Sequence, residues 1–105
     1  MLSIETRRAQ RPQGEMRECY LEVTFRNGKP LAAYYYLPRN DGDKSARVEK
    51  HAAGLLVDLT CEGRPIGIEI SIPSLVTVDA VNAILQSYGF QPIPPSELAP
   101  LRSAA

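Results

Sequence analysis

Two carboxylates within one short hairpin pattern are the residues best placed to do chemistry in this chain. Asp58 and Glu69 lie in LLVDLTCEGRPIGIEI, two apolar runs flanking a turn. Strand alternation sets both acids on one face, diagonally across the pair. Neighbouring carboxylates can split their pKa values and act as acid and base, or jointly hold a hard cation. The plainer reading is that both solvate the outer side of a half-buried sheet. His51, the single histidine, is the remaining candidate ligand, and it or Tyr35 of a second copy would complete such a site. No short-spaced Cys/His or His/carboxylate pattern accompanies these residues, so no metal or cofactor is expected.

Nucleophilic catalysis finds little support. A Cys–His pair would need the fold to bring Cys19 or Cys61 to His51. Cys19 alternates with apolar strand positions, where a thiol acts as a small hydrophobe, while Cys61 borders a turn. GxSxG, HExxH, Walker and glycine-rich phosphate motifs are all missing from the sequence, so enzymatic activity is not indicated. The densest aromatic run, Tyr34, Tyr35 and Tyr36, supplies candidate interface residues, because a tyrosine ring can be buried at a contact while its hydroxyl stays wet. Alternation sends Tyr35 to the face opposite the other two.

Those side chains need a scaffold, and the pattern supplies one. In CYLEVTF, Cys19, Leu21, Val23 and Phe25 alternate with Tyr20, Glu22 and Thr24, the period of a strand with one buried face. Asn27-Gly28 then favours a two-residue turn with positive φ at both positions. This predicts Phe25 opposite Pro30, Val23 opposite Ala32 and Leu21 opposite Tyr34, with Cys19 and Tyr36 continuing the inner face. Pro38 and the following Asn, Asp and Gly residues end the second strand. A weak strand is expected near residues 46–51, at an edge. Across Glu62-Gly63, pairing sets Leu59 on Ile66, Val57 on Ile68 and Leu55 on Ile70, one continuous apolar face. The lone glycines in GLLV and GIEI speak of packing or a bulge.

NGKPL and EGRPI lie 35 residues apart and share a glycine, a base, a proline and an aliphatic residue. Duplication and independent turn selection explain this equally well. From Thr77 to Tyr88 the apolar spacing is helical, with Thr77 as N-cap, Asp79 in the first turn and Gly89 as terminator. The predicted fold is α+β: an antiparallel β-meander of four or five strands, with two tight hairpins and one C-terminal α-helix packed on a face. Residues 1–17 are expected to be a flexible arm and 18–90 the single domain. Residues 91–105 form a proline-rich tail, either loose or strapped along a surface.

Length and charge bound the function. A chain of 105 residues is one small domain, for which association with another copy is a common route to stability. Twelve basic residues balance twelve acidic ones, which argues against nucleic acid, since phosphate neutralisation needs clustered Lys and Arg. Local excess is confined to Arg7, Arg8, Arg11 and Arg17 in the leading segment. No window reaches the length of a membrane span, and the first residues lack signal-peptide order. Two separated cysteines suit the cytoplasm better than a secreted disulfide scaffold.

The strand Gly54 to Leu59, the turn Glu62 to Arg64 and the strand Ile66 to Ile70 are similar to a bacterial family of short proteins, family 2283 of the domain-of-unknown-function series. The likeness covers about half of the chain, roughly residues 19–72. It implies a small β-meander with no established activity, and it supplies no catalytic residues. Two functional expectations stand. The first is a non-catalytic, homo-oligomeric binding or assembly module, a dimer or a complex with a protein partner, working through a strand edge or the tyrosine face. The alternative is a small-ligand or metal-binding site around Asp58 and Glu69.

Overall fold

A computed structural model describes residues 4–8 and 19–102. Its elements in chain order are β1 (Ile4–Arg8), β2 (Tyr20–Arg26), β3 (Lys29–Tyr36), β4 (Arg47–Ala52), β5 (Leu55–Leu59), β6 (Pro65–Ile70), a 3-10 turn (Pro73–Leu75), α1 (Val78–Ser87) and a 3-10 segment (Pro95–Arg102). All six strands form one antiparallel sheet in the order β1-β2-β3-β6-β5-β4. The α+β class and the antiparallel sheet agree with the sequence reading, but six strands replace four or five. The extra strand is β1, inside the segment expected to be a flexible arm. Its sequence IETRR has no apolar alternation, and an edge strand can be held by ladder hydrogen bonds to its neighbour without one. Residues 1–3 and 9–17 of that arm lie outside the described residues.

The connectivity also departs from a simple meander. The chain leaves β3, crosses to the far edge, and returns through β4 and β5, so that β6 docks on β3. Each half of the sheet is therefore a three-stranded meander, and the NGKPL and EGRPI segments occupy corresponding turns. Asn27 (φ 52°) and Gly28 (φ 78°) adopt the expected left-handed pair. The second turn is longer than expected. Gly63 N donates to Thr60 O and Thr60 N to Arg64 O, so only Gly63 (φ 87°) needs the left-handed region and Glu62 avoids it.

In each hairpin a bulge follows the proline. Phe25 faces Pro30 as expected, but Thr24 then faces Ala32, leaving Leu31 as the extra residue. Leu59 faces Pro65, not Ile66, and Asp58 faces Gly67. Beyond the second bulge, Val57–Ile68 and Leu55–Ile70 pair as expected. Beyond the first, the register is displaced by one residue, so Leu21 faces Tyr35 and Val23 faces Ala33. The expected placement of Tyr34 and Tyr36 on the inner face is thus corrected: Tyr35 is inner, 1 % exposed, and its two neighbours point outward.

The core is the inner sheet face under a layer of helix and straps. Leu21, Val23, Phe25, Ala33, Tyr35, Leu55, Val57, Leu59, Ile68 and Ile70 form its floor, with Val76, Val81, Ile84 and Leu85 above them. Each fully buried aliphatic side chain in such a layer contributes roughly 1.5–3 kcal/mol. The Thr77 hydroxyl accepts from Ala80 N at 3.1 Å, capping α1 as expected. Gly89 (φ 83°) ends the helix, and Phe90 N donates back to Leu85 O at 2.8 Å.

The proline-rich tail is a strap, not a loose extension, as far as Arg102. Leu98 and Leu101 are buried against the core. The Asn82 side chain donates to Ile93 O (3.0 Å) and accepts from Ile93 N (2.7 Å), and Arg102 donates to the carbonyls of Pro73 and Val76. These side-chain bonds replace the backbone ladder that prolines cannot sustain.

Candidate functional site

The outer face of the sheet carries the most organised group of functional side chains. Because opposite residues share a face, the pairs Tyr20–Tyr36, Glu22–Tyr34, Tyr34–Glu69, Tyr36–Gly67 and Asp58–Gly67 form adjoining rows across β2, β3, β6 and β5. The Tyr20 and Tyr36 rings stack at 4.4 Å with 6° between planes. Tyr34 meets Tyr36 edge-on at 4.7 Å and 68°. The Arg39 guanidinium sits 5.5 Å from the Tyr36 ring centre, while its Nη2 donates to Ile66 O at 2.8 Å.

The tyrosine hydroxyls are fixed as well. Tyr36 donates to Glu22 Oε1 at 3.0 Å, and Tyr34 donates to Asp58 Oδ2 at 2.7 Å. Burial pushes the Tyr34 phenol well above its usual value, and the adjacent Asp58 carboxylate adds to the shift. Gly67 makes this arrangement possible, because a methyl group there would overlap the Tyr34 ring and hydroxyl. The lone glycine in GIEI is therefore a packing residue, a gap in β6 through which a tyrosine from β3 reaches β5.

Asp58 and Glu69 do share the outer face, opposite Gly67 and Leu56 respectively. Asp58 is already engaged by Tyr34, and Glu69 stands across from Tyr34 in the ladder. His51 is elsewhere. It is the bulged residue of β4, with its Nε2 3.4 Å from the Tyr88 hydroxyl and 3.9 Å from Glu49 Oε1, next to the end of α1. Tyr35, the other residue expected to complete the acid pair, is buried in the core. Among the described residues no three His, Cys, Asp or Glu side chains gather to hold a metal ion.

A second feature lies beneath the sheet. A cavity of about 400 Å³ opens between β3 and the strap, with Cys19, Tyr35, Leu85, Phe90, Gln91 and Glu97 among its lining residues. Burial raises the Tyr35 pKa, with Cys19 and Glu97 adding to the effect. Cys19 is half-buried rather than enclosed, Cys61 is exposed, and neither is in a disulfide.

Sequence alternation correctly turns Tyr20 and Glu22 outward, but it does not join them to Tyr34 and Tyr36, because the bulge at Leu31 is what brings these rings to the same side. Arg39 lies in an irregular loop and left no periodic signal. No protein-family model, curated protein or solved structure matches this chain.

Proposed function

We propose that the protein is a non-catalytic, homo-oligomeric binding or assembly module that uses its outer sheet face, centred on Tyr36, to seat a protein partner. The observation that carries this reading is the stack of Tyr20, Tyr36 and Tyr34 beside Arg39 on a face that neither α1 nor the strap covers. Tyrosine and arginine are the residues most enriched where interfaces hold their energy. Hydrogen bonds from the tyrosine hydroxyls to Glu22 and Asp58 set the rings before a partner arrives, so less side-chain entropy is lost on contact. Three carboxylates, those of Glu22, Asp58 and Glu69, border the rings, which disfavours nucleic acid as the occupant.

Membership of family 2283, small β-proteins without catalytic apparatus, is part of the same proposal and would agree with it. Cys19 and Cys61, neither of them in a disulfide, suit a reducing compartment, and the cytoplasm is the proposed location. No helix among the described residues is long and apolar enough to cross a membrane. The alternative, a ligand site at Asp58 and Glu69, is less favoured because Tyr34 occupies Asp58.

The test is native mass spectrometry of the untagged protein from its own cells, beside Tyr36→Ala and Glu69→Ala variants. The expected result is an associated protein chain, other than a second copy, that Tyr36→Ala releases and Glu69→Ala retains. A bound metal or small molecule lost on Glu69→Ala would overturn the assignment in favour of the alternative.

A further inference from the structure

The margin of the sheet formed by β4 has a self-complementary charge pattern. β4 pairs with β5 alone among the described strands, all six of its residues are exposed, and Val48 is an exposed large apolar side chain at 51 %. Arg47 and Glu49 point to the inner side, opposite Leu59 and Val57, while Val48 and Lys50 point to the outer side, opposite Asp58 and Leu56. An open edge of this kind invites another strand.

Two identical edges join most simply about a two-fold axis perpendicular to the sheet, which gives an antiparallel pair. Such an axis preserves faces, so each residue must oppose one that points to the same side, and the axis passes through a residue rather than between two. Charge then selects the register. An axis at Arg47, Glu49 or Lys50 sets a charge directly against itself, which is destabilising. An axis at Val48 sets valine on valine, and Arg47 of each copy opposite Glu49 of the other. Within one chain Arg47 and Glu49 approach only to 3.9 Å, and Glu49 Oε1 accepts a long bond of 3.3 Å from the Tyr88 hydroxyl; these partly exposed contacts are weak enough for a closer cross-strand pair to compete with them. The bulge at His51 ends the regular run just beyond this segment.

We infer that two copies of this chain join edge to edge through β4, with Val48 on the axis and reciprocal Arg47–Glu49 pairs on either side. The product is one continuous sheet in which the tyrosine clusters of both copies lie on the same outer face. A partner with two matching sites would then bind bivalently, gaining affinity without any new kind of contact. The inference rests on the homo-oligomeric part of the proposed function and is independent of the tyrosine contact.

Light scattering and sedimentation of the full chain test it through charge reversal. The unaltered chain is expected to be dimeric, more weakly so at high salt. Arg47→Glu alone, or Glu49→Arg alone, sets two like-charge pairs at the interface and should weaken association by roughly tenfold or more. The double variant R47E/E49R restores opposite charges and should recover the dimer. Glu5→Arg on the opposite edge, and Tyr36→Ala on the outer face, should leave it intact. A dimer indifferent to both single reversals, a double variant that stays monomeric, or dissociation by Glu5→Arg alone would each overturn the β4 assignment. A dimer released only by Tyr36→Ala would overturn it while keeping the homo-oligomer, whereas a monomeric unaltered chain would sink both.

Discussion

The hairpins β2–β3 and β5–β6 meet at the centre of the sheet, and each places a bulged residue directly after a proline, Leu31 after Pro30 and Ile66 after Pro65. Their inner faces are interchangeable in character: Leu21, Val23, Phe25, Ala33 and Tyr35 in one, Leu55, Val57, Leu59, Ile68 and Ile70 in the other. Their outer faces are not. The first carries Tyr20, Glu22, Tyr34 and Tyr36; the second carries Leu56, Asp58, Gly67 and Glu69. Positions 32 and 67 correspond, each the second residue beyond its proline, and only the second has lost its methyl group. The shared half of the design is what folding requires, since only the inner face is packed under α1 and the strap. The outer face is released from that requirement, and its two halves are fitted to each other through Tyr34, Gly67 and Asp58.

The comparison breaks most severely at Tyr35. If it is the inner-face counterpart of Ile70, Tyr35→Ala should cost about 3–5 kcal/mol in urea unfolding, as for other large aromatic truncations in cores. A loss below about 1 kcal/mol would instead return Tyr35 to the surface. Gly67→Ala is expected to come next, at about 1–3 kcal/mol, because Tyr34 must swing aside to admit the methyl group. In a Tyr34→Ala background the same change should be nearly neutral, so a double-mutant cycle isolates the fit between the halves.

Tyr34→Phe keeps the ring and removes its bond to Asp58, for an expected loss of about 0.5–1.5 kcal/mol. It also carries a pH signature. The folded phenol titrates above its ordinary value of 10.0, so the native state favours the protonated form. That contribution is complete below the unfolded value and declines as alkalinity rises toward the folded one, where the unfolded chain ionises first. Unfolding midpoints measured across the alkaline range should therefore fall less steeply for Tyr34→Phe than for the parent; identical slopes would remove Tyr34 as the source.

The smallest effect belongs to the loop that joins the two halves. Asp43 accepts from both Arg64 guanidinium nitrogens, at 2.6 and 3.0 Å, and from Asn40 N at 2.8 Å. The Arg64 bonds, and then the Asn40 amide, hold its carboxyl below the usual range. Its contribution is present above the unfolded pKa and disappears as pH falls through the folded one. Carboxyl titration by NMR should show Asp43 rising toward its ordinary value in Arg64→Ala, with little change in the melting temperature because the pair is at the surface.

Much of the scaffold was legible because it depends on neighbours in the chain. Alternation located β2, β5 and β6, the Asn27-Gly28 pair set its turn, and helical spacing with the Thr77 cap located α1. Strand β1 escaped because an edge held by backbone bonds needs no hydrophobic period. The choice between a loose tail and a strap was not legible, because the strap's anchors, Leu98, Leu101 and the Asn82 and Arg102 side chains, lie far apart in sequence from what they grip.

Sequence by itself determined that Tyr35 opposes Tyr34 and Tyr36 in direction, and that Asp58 and Glu69 share a side. Which of those sides is the core, and which the surface, was decided only in the folded molecule. A single bulged residue after Pro30 reverses every side chain beyond it, and local pattern accommodates either register. Burial of Ala33, Tyr35 and Leu37 against the helix and strap favours one register. The gap at Gly67, which admits Tyr34 from a strand more than thirty residues away, favours the same one.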